Sequence, residues 1–123
     1  MSEVINSPKA PAAIGPYVQA QAVNGLIFTS GQLGFDSKGE LPADFESQAR
    51  NSLENVKAIL EAGGSSMSKA VKVLIFLKDM NNFATLNGIY AEYFKEPCPA
   101  RSCVEVARLP KDGMVEIEVI AER

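Results

Sequence analysis

Histidine is absent from all 123 residues, and this absence excludes more chemistry than any other feature of the composition. Without histidine the chain cannot build a Ser-His or Cys-His nucleophile pair, and it lacks the side chain most often used as a general base. It also lacks the commonest neutral metal ligand.

Cysteine is scarce, with Cys98 and Cys103 as the only two. Their spacing matches no zinc motif, and two thiols are too few to hold a structural zinc ion. We therefore expect no metal. A cytosolic setting also argues against a disulfide between the two.

Long apolar runs and basic runs are missing too. No apolar stretch approaches the roughly 18 residues of a membrane span. The start of the chain, "MSEVINSPKAPAAIG", lacks the basic and apolar segments of a secretory signal. The net charge is −3 and the pI about 5.0, without a lysine or arginine stripe. We expect a cytoplasmic protein that binds neither membranes nor nucleic acid.

The length and the 46% hydrophobic content predict a single domain over residues 1–123. Alternating and helical apolar patterns predict the order β-β-α-β-α-β-β. Asn24-Gly25 is typical of a tight hairpin turn, and "LPKDG" predicts a second hairpin between the last two strands. The predicted strands are Tyr17–Val23, Leu26–Gly31, Ala70–Leu77, Arg101–Ala107 and Met114–Glu122; the predicted helices run from Phe45 to Gly63-Gly64 and over residues 81–94.

Each predicted helix carries one apolar stripe, which favours two helices packed on one face of a mixed sheet. This is an α+β fold. The other sheet face mixes valine and isoleucine with polar residues, and an apolar face needs a cover. Oligomerisation is the simplest cover.

Arg101 stands between small residues directly before a predicted strand, in "PARSCVEVARLP". Glu116 lies on the last strand, which we expect to pair with the strand of Arg101. One interpretation is a cross-strand ion pair worth about 0.2–1 kcal/mol. The other is an anion receptor, because the planar guanidinium binds a carboxylate through two parallel hydrogen bonds. The sequence leaves both open.

Four other residues are candidates for the same site. Cys103 shares a strand face with Arg101, although a thiol there is also typical of a small buried hydrophobe. Ser30 and Gly31 end the second strand, where a hydroxyl and an open backbone allow a ligand to approach. Tyr17 begins the first predicted strand and is a candidate wall of a pocket, or a core residue.

Taken together, five segments resemble the RidA (YjgF) family of imine/enamine deaminases. They are "IGPYVQA", "TSGQL", "QARNSLENVKAILEAGG", "NNFATLNGIYAEYF" and, most specifically, "PARSCVEVARLPKDGMVEIE". The resemblance covers the chain from about Ala10 onward. It departs at "KEPC", where the loop is shorter than in some members and Cys98 replaces an expected aromatic residue.

This resemblance implies a chorismate-mutase-like homotrimer with active sites in the clefts between subunits. The implied reaction is hydrolysis of 2-imino acids, tautomers of 2-aminoacrylate and 2-aminocrotonate, to 2-keto acids and ammonia. It would protect pyridoxal-phosphate enzymes and needs no cofactor. Arg101 matches the carboxylate-binding arginine, Glu116 the glutamate that positions water, and Cys103 a site-lining position that offers its backbone amide. Tyr17, Ser30, Gly31 and Asn87 match pocket positions.

Other functions stay open at this level. The same cleft would suit a regulatory protein that binds small carboxylates such as 2-keto acids without turnover. A redox-switched chaperone is compatible with the sequence. Nuclease activity is reported for relatives, but the lack of histidine, of metal ligands and of positive charge gives it no support.

Overall fold

The computed structural model describes all of residues 1–123 and contains one seven-stranded sheet and two α-helices. The elements, in chain order, are β1 Glu3–Ile5, β2 Ala20–Val23, β3 Leu26–Thr29, β4 Gln32–Leu33, α1 Phe45–Ala62, β5 Ala70–Leu77, α2 Phe83–Tyr93, β6 Ala100–Glu105 and β7 Val115–Glu122. Short 3₁₀ turns precede β5, α2 and β7. Neither helix has the length and apolar character that crossing a membrane requires.

The strand order is β1-β2-β3-β7-β5-β6, and β4 also pairs with β7. All pairs are antiparallel except β5 with β6, which run parallel. The sheet is mixed, as predicted. The second predicted hairpin is wrong, because β5 lies between β6 and β7.

Two strands, β1 and β4, were not predicted. β1 is three residues long and β4 only two, too short for an alternating pattern to show. The first predicted strand also begins too early, since Tyr17 lies before β2 and is 52% exposed. The Asn24-Gly25 hairpin is confirmed: both residues have positive φ, 51° and 77°, which the tight turn between β2 and β3 requires.

Both helices cover one face of the sheet. On β5 the buried residues alternate as Val73, Ile75 and Leu77, and on β7 the odd-numbered residues from Val115 to Ala121 are buried. Helix α1 begins at the cap Asp44, whose carboxylate accepts a hydrogen bond from the Ser47 backbone N–H at 2.9 Å. The uncovered face, here called the open face, holds partly exposed apolar residues of four strands, including Phe28, Leu74, Phe76, Val104 and Ile120.

Candidate active site

The open face borders a cleft of about 1540 Å³. Tyr17, Ser30, Gly31 and Glu116 all line it, and Glu118 stands beside Glu116 on the same strand face. The structure therefore brings together four of the predicted site residues. Arg101, Asn87 and Cys103 do not line this cleft.

A bulge between β3 and β4 places Ser30 and Gly31 in the cleft. Phe28 pairs with Ile120 and Gln32 with Ile117, so three residues on one strand face only two on β7. One extra residue bends a strand and breaks its alternation of faces, which re-aims side chains locally. The strand end in "TSGQL" is thus a bulge that continues into β4.

The Ser30 hydroxyl donates a hydrogen bond to the Val18 carbonyl at 2.6 Å. The Ser30 backbone N–H donates a hydrogen bond to the Gln19 carbonyl at 2.8 Å. Ser30 therefore fastens the segment that carries Tyr17 to the bulge. Because the hydroxyl proton is already donated to Val18, the Ser30 oxygen can only accept a hydrogen bond from a ligand.

Glu116 lies so close to Gly31 that a side chain at position 31 would displace it. A Cβ built on Gly31 would stand 2.7 Å from Glu116 Cδ and 2.9 Å from its Oε2. Burial, and then the charge of Glu118, raise the pKa of the Glu116 carboxyl. A carboxylate with a raised pKa is a better proton acceptor at neutral pH.

Arg101 is held on the opposite side of the sheet by helix α2. Its Nη1 donates to Asn87 Oδ1 at 2.8 Å, and its Cζ lies 4.8 Å from the Tyr90 ring centre and 5.5 Å from that of Phe83. No carboxylate lies within 4 Å of the guanidinium. Burial raises the pKa of Tyr90 to about 12, so the phenol stays neutral beside it. The guanidinium is therefore half-buried and has no counter-ion, and its remaining N–H donors are free for an anion.

Cys103 lies on the same strand face as Arg101, as predicted, and is partly buried. Burial raises its pKa, and the nearby Arg101 only partly opposes this effect. The thiol therefore stays protonated, which disfavours it as a nucleophile. The exposed Cys98 donates its thiol proton to Glu96 at 3.0 Å, and this bond raises the pKa of Cys98.

The predicted pairing of the Arg101 and Glu116 strands is wrong, and so is the ion-pair interpretation. Arg101 pairs with Val73 of β5 on the helix face, whereas Glu116 pairs with Phe76 on the open face. Strand spacing and rise place their Cα atoms about 14 Å apart, with the sheet between the side chains. One protomer thus holds two half-sites that cannot act on the same small molecule.

Phe83, Tyr90 and Glu118 are neighbours of the functional groups that the sequence patterns did not predict. Phe83, Asn87 and Tyr90 follow the helical spacing i, i+4, i+7, so one face of α2 carries them all. The sequence signal for this cluster was the position of Asn87 between Phe83 and Tyr90 on the same helix face. Glu118 was visible as the second carboxylate on the face of Glu116.

Comparison with known proteins agrees with this geometry. The family model described as endoribonuclease L-PSP matches residues 7–123. The 2-iminobutanoate/2-iminopropanoate deaminase of Escherichia coli K12 is 55% identical, over 100% of this chain and 99% of that protein. Two E. coli structures each cover 98% of both chains with a TM-score of 0.93: the yjgF gene product at 54% identity, and TdcF with bound serine at 50%. The resemblance drawn from the sequence is confirmed, and the chain belongs to the endoribonuclease L-PSP family, within its RidA (YjgF) group.

Proposed function

We propose that this protein hydrolyses reactive 2-imino acids and their enamine tautomers to 2-keto acids and ammonia. The observation that carries the proposal is the pair of half-sites: a guanidinium without a counter-ion, and a half-buried carboxyl of raised pKa. A 2-imino acid offers a carboxylate to the first and an electrophilic carbon to the second. The name of the E. coli relative with 55% identity describes the same reaction.

We further propose a homotrimer, in which each active site takes Arg101 from one protomer and Glu116 from the next. The open face supports this assembly. Phe28 is 39% exposed and Val104 46% exposed, and apolar side chains lie between them, so the face needs a cover. Association through this face would also bring the two half-sites together.

Arg101 binds the substrate carboxylate in this proposal. Asn87 accepts one hydrogen bond from Nη1, and four N–H donors of the guanidinium remain. Phe83 and Tyr90 hold the guanidinium between them. The fork is thus fixed before substrate arrives, which lowers the entropic cost of orienting the imino carbon.

Glu116 activates the water in this proposal. The water oxygen bonds to the carbon of the iminium while one water proton passes to the Glu116 carboxylate, and the C=N π electron pair moves to nitrogen, which becomes a neutral amine. Glu116 then returns the proton to that nitrogen. The C–N bond of the carbinolamine breaks and ammonia leaves with the bonding pair, while the hydroxyl proton passes to the Glu116 carboxylate and on to water as the keto C=O forms. The negative charge of Glu116 also stabilises an adjacent iminium cation.

The remaining site residues shape the cleft. Ser30 fastens the segment of Tyr17 and offers its lone pairs, while Tyr17 forms a wall. Cys103 lines the Arg101 side and supplies its backbone amide. The iminium is electrophilic enough to need no cofactor. Acting in the cytoplasm, the enzyme would remove imines released by pyridoxal-phosphate dehydratases before they damage other enzymes.

The test couples the protein to a serine/threonine dehydratase acting on threonine or serine. The imine/enamine intermediate is trapped as its semicarbazone, and its decay is compared for wild type and Arg101→Ala. Faster loss with wild type alone is expected. No acceleration by wild type, with the assembly intact, would contradict the proposal.

A binding protein without turnover is the alternative. TdcF has been crystallised with serine bound, so a relative holds a small amino acid. A binding protein would retain a 2-keto acid through Arg101 yet leave the decay of the semicarbazone precursor unchanged.

A further inference from the structure

Strand β4 has an unusual edge. It is two residues long and pairs only with β7, where Leu33 stands opposite Glu116. A strand this short, with a partner on one side, leaves backbone carbonyls without strand N–H donors on the other. Helix α1 supplies those hydrogen bonds from the covered face of the sheet.

Two side chains of α1 hold β4 directly. The Ser52 hydroxyl, fully buried, donates to the Gln32 carbonyl at 2.7 Å. Asn55 Nδ2 donates to the carbonyls of Leu33 at 3.2 Å and Phe35 at 3.1 Å. Both residues of β4 are thus fastened to the helix by their own carbonyls.

The residue before β4 is Gly31, which lies so close to Glu116 that an added Cβ would stand 2.7 Å from Glu116 Cδ. Any shift of Gln32 displaces Gly31 through one peptide bond. The position of Gly31 limits where the carboxyl of Glu116 can lie and how much water reaches it. A continuous path therefore joins Ser52 and Asn55 of α1, through β4 and Gly31, to Glu116.

We propose that Ser52 and Asn55 are positioning residues for Glu116: they fix β4, and through Gly31 they hold the Glu116 carboxyl in its place in the cleft. The role in turnover rests on the proposed deaminase function, whereas the geometric coupling does not. Neither residue touches the reacting atoms.

The raised pKa of Glu116 is due more to its burial than to the charges near it. Burial is the largest cause of the raised pKa, and Glu118 is the second. The same cleft is lined by Tyr17 and by five charged side chains besides Glu116 and Glu118: Lys9, Asp36, Lys38, Glu54 and Lys111. Loosening β4 should therefore act mainly by admitting water, which lowers the pKa of Glu116 toward its ordinary value.

The experiment compares Ser52→Ala and Asn55→Ala with Asn51→Ala. Asn51 is the matched control, because it sits on the same helix and donates to Gly34, beyond β4, at 3.2 Å. The titration of the Glu116 carboxyl carbon is followed by NMR in the intact assembly, with Glu116→Gln to assign the signal. The kcat and KM of imine hydrolysis are measured in parallel across pH.

We expect Ser52→Ala and Asn55→Ala to move the Glu116 midpoint to lower pH and to reduce kcat about tenfold, with KM within about twofold of wild type. Asn51→Ala should leave the midpoint in place. An unchanged midpoint in both β4 variants, or an equal change in Asn51→Ala, would overturn the proposal. If the wild type does not hydrolyse imines, the deaminase function fails, and the NMR titration still decides the coupling.

Discussion

Arg101 and Glu116 occupy opposite faces of one sheet, separated by strand β5. Arg101 pairs with Val73 of β5 and faces helix α2. Glu116 pairs with Phe76 of β5 and faces the cleft. Neither neutralises the other. Each is therefore left free for a ligand, and only the proposed association between copies would bring the two groups together.

Two inactive variants should restore activity when mixed. Arg101→Ala keeps Glu116, and Glu116→Gln keeps Arg101, so a site between unlike protomers has both intact groups. Random exchange of subunits in a trimer gives roughly a quarter of the sites both groups. We expect about a quarter of wild-type activity after the variants are unfolded and refolded together. A mixture as inactive as its parts would mean that both groups act within one protomer.

Replacing Asn87 with aspartate should damage substrate binding more than replacing it with alanine. An aspartate would accept a charge-assisted hydrogen bond from Arg101 in place of the present 2.8 Å bond, and would neutralise the receptor. We expect KM to rise about tenfold or more for Asn87→Asp and less for Asn87→Ala. Equal KM values for wild type and Asn87→Asp would show that Arg101 does not bind the carboxylate.

Gly31→Ala should lower kcat without unfolding the protein. The new methyl group would displace the Glu116 side chain, which is flexible and can swing away. We expect kcat to fall about tenfold or more, since a small displacement of a catalytic group is costly. The control is Gly88→Ala on α2, where nothing lies within 4 Å of the added Cβ. That variant should keep its activity and gain about 0.5–1 kcal/mol of stability. Equal activity of the two variants would refute the close approach.

Cys103→Ala should retain most of its activity. Burial keeps the thiol protonated, and only the backbone amide of residue 103 is expected to face the substrate. Steady-state kinetics of this variant beside Arg101→Ala distinguish the two roles. A loss as complete as that of Arg101→Ala would instead point to a thiol nucleophile.

Glu116→Gln should stabilise the fold at neutral pH. The pKa of Glu116 is raised in the folded state, so its contribution to stability is complete below the unfolded-state pKa and is lost as pH rises through the folded-state pKa. The neutral glutamine side chain does not ionise, so the variant does not lose this stability as pH rises. We expect a higher Tm than wild type at about pH 7 and a smaller difference at about pH 4. A difference that does not change with pH would exclude this origin.

Local patterns were enough to predict the helices, the Asn24-Gly25 hairpin and the one-sided helical cover. Each depends on neighbours within a few residues, such as the Asp44 cap. The place of β7 between β3 and β5 depends on pairing between distant segments, which no local pattern encodes. For that reason the second hairpin was predicted and is not there.

The site divides in the same way. Residue chemistry singled out Arg101 and Glu116, the family resemblance added Asn87, and the structure shows Asn87 bonded to Arg101. The separation of Arg101 from Glu116 by a whole sheet follows from strand order and was invisible in the sequence. The closeness of Gly31 to Glu116 arises from a bulge, whose extra residue has no signature beyond a glycine.

The bulge at Ser30-Gly31 also changes which residues of the strand face the open side: even-numbered residues before it and odd-numbered residues after it. Before it, Phe28 shares the open face with even-numbered neighbours; after it, Leu33 stands opposite Glu116 on that face. Deleting one residue here would leave two residues opposite two, so the bulge would disappear while Leu33 kept its place opposite Glu116, and the close approach of position 31 to the Glu116 carboxyl would be lost. Length changes should therefore be poorly tolerated between Thr29 and Gln32, yet readily accepted in the exposed turn around Gly39, where an added Cβ meets nothing within 4 Å.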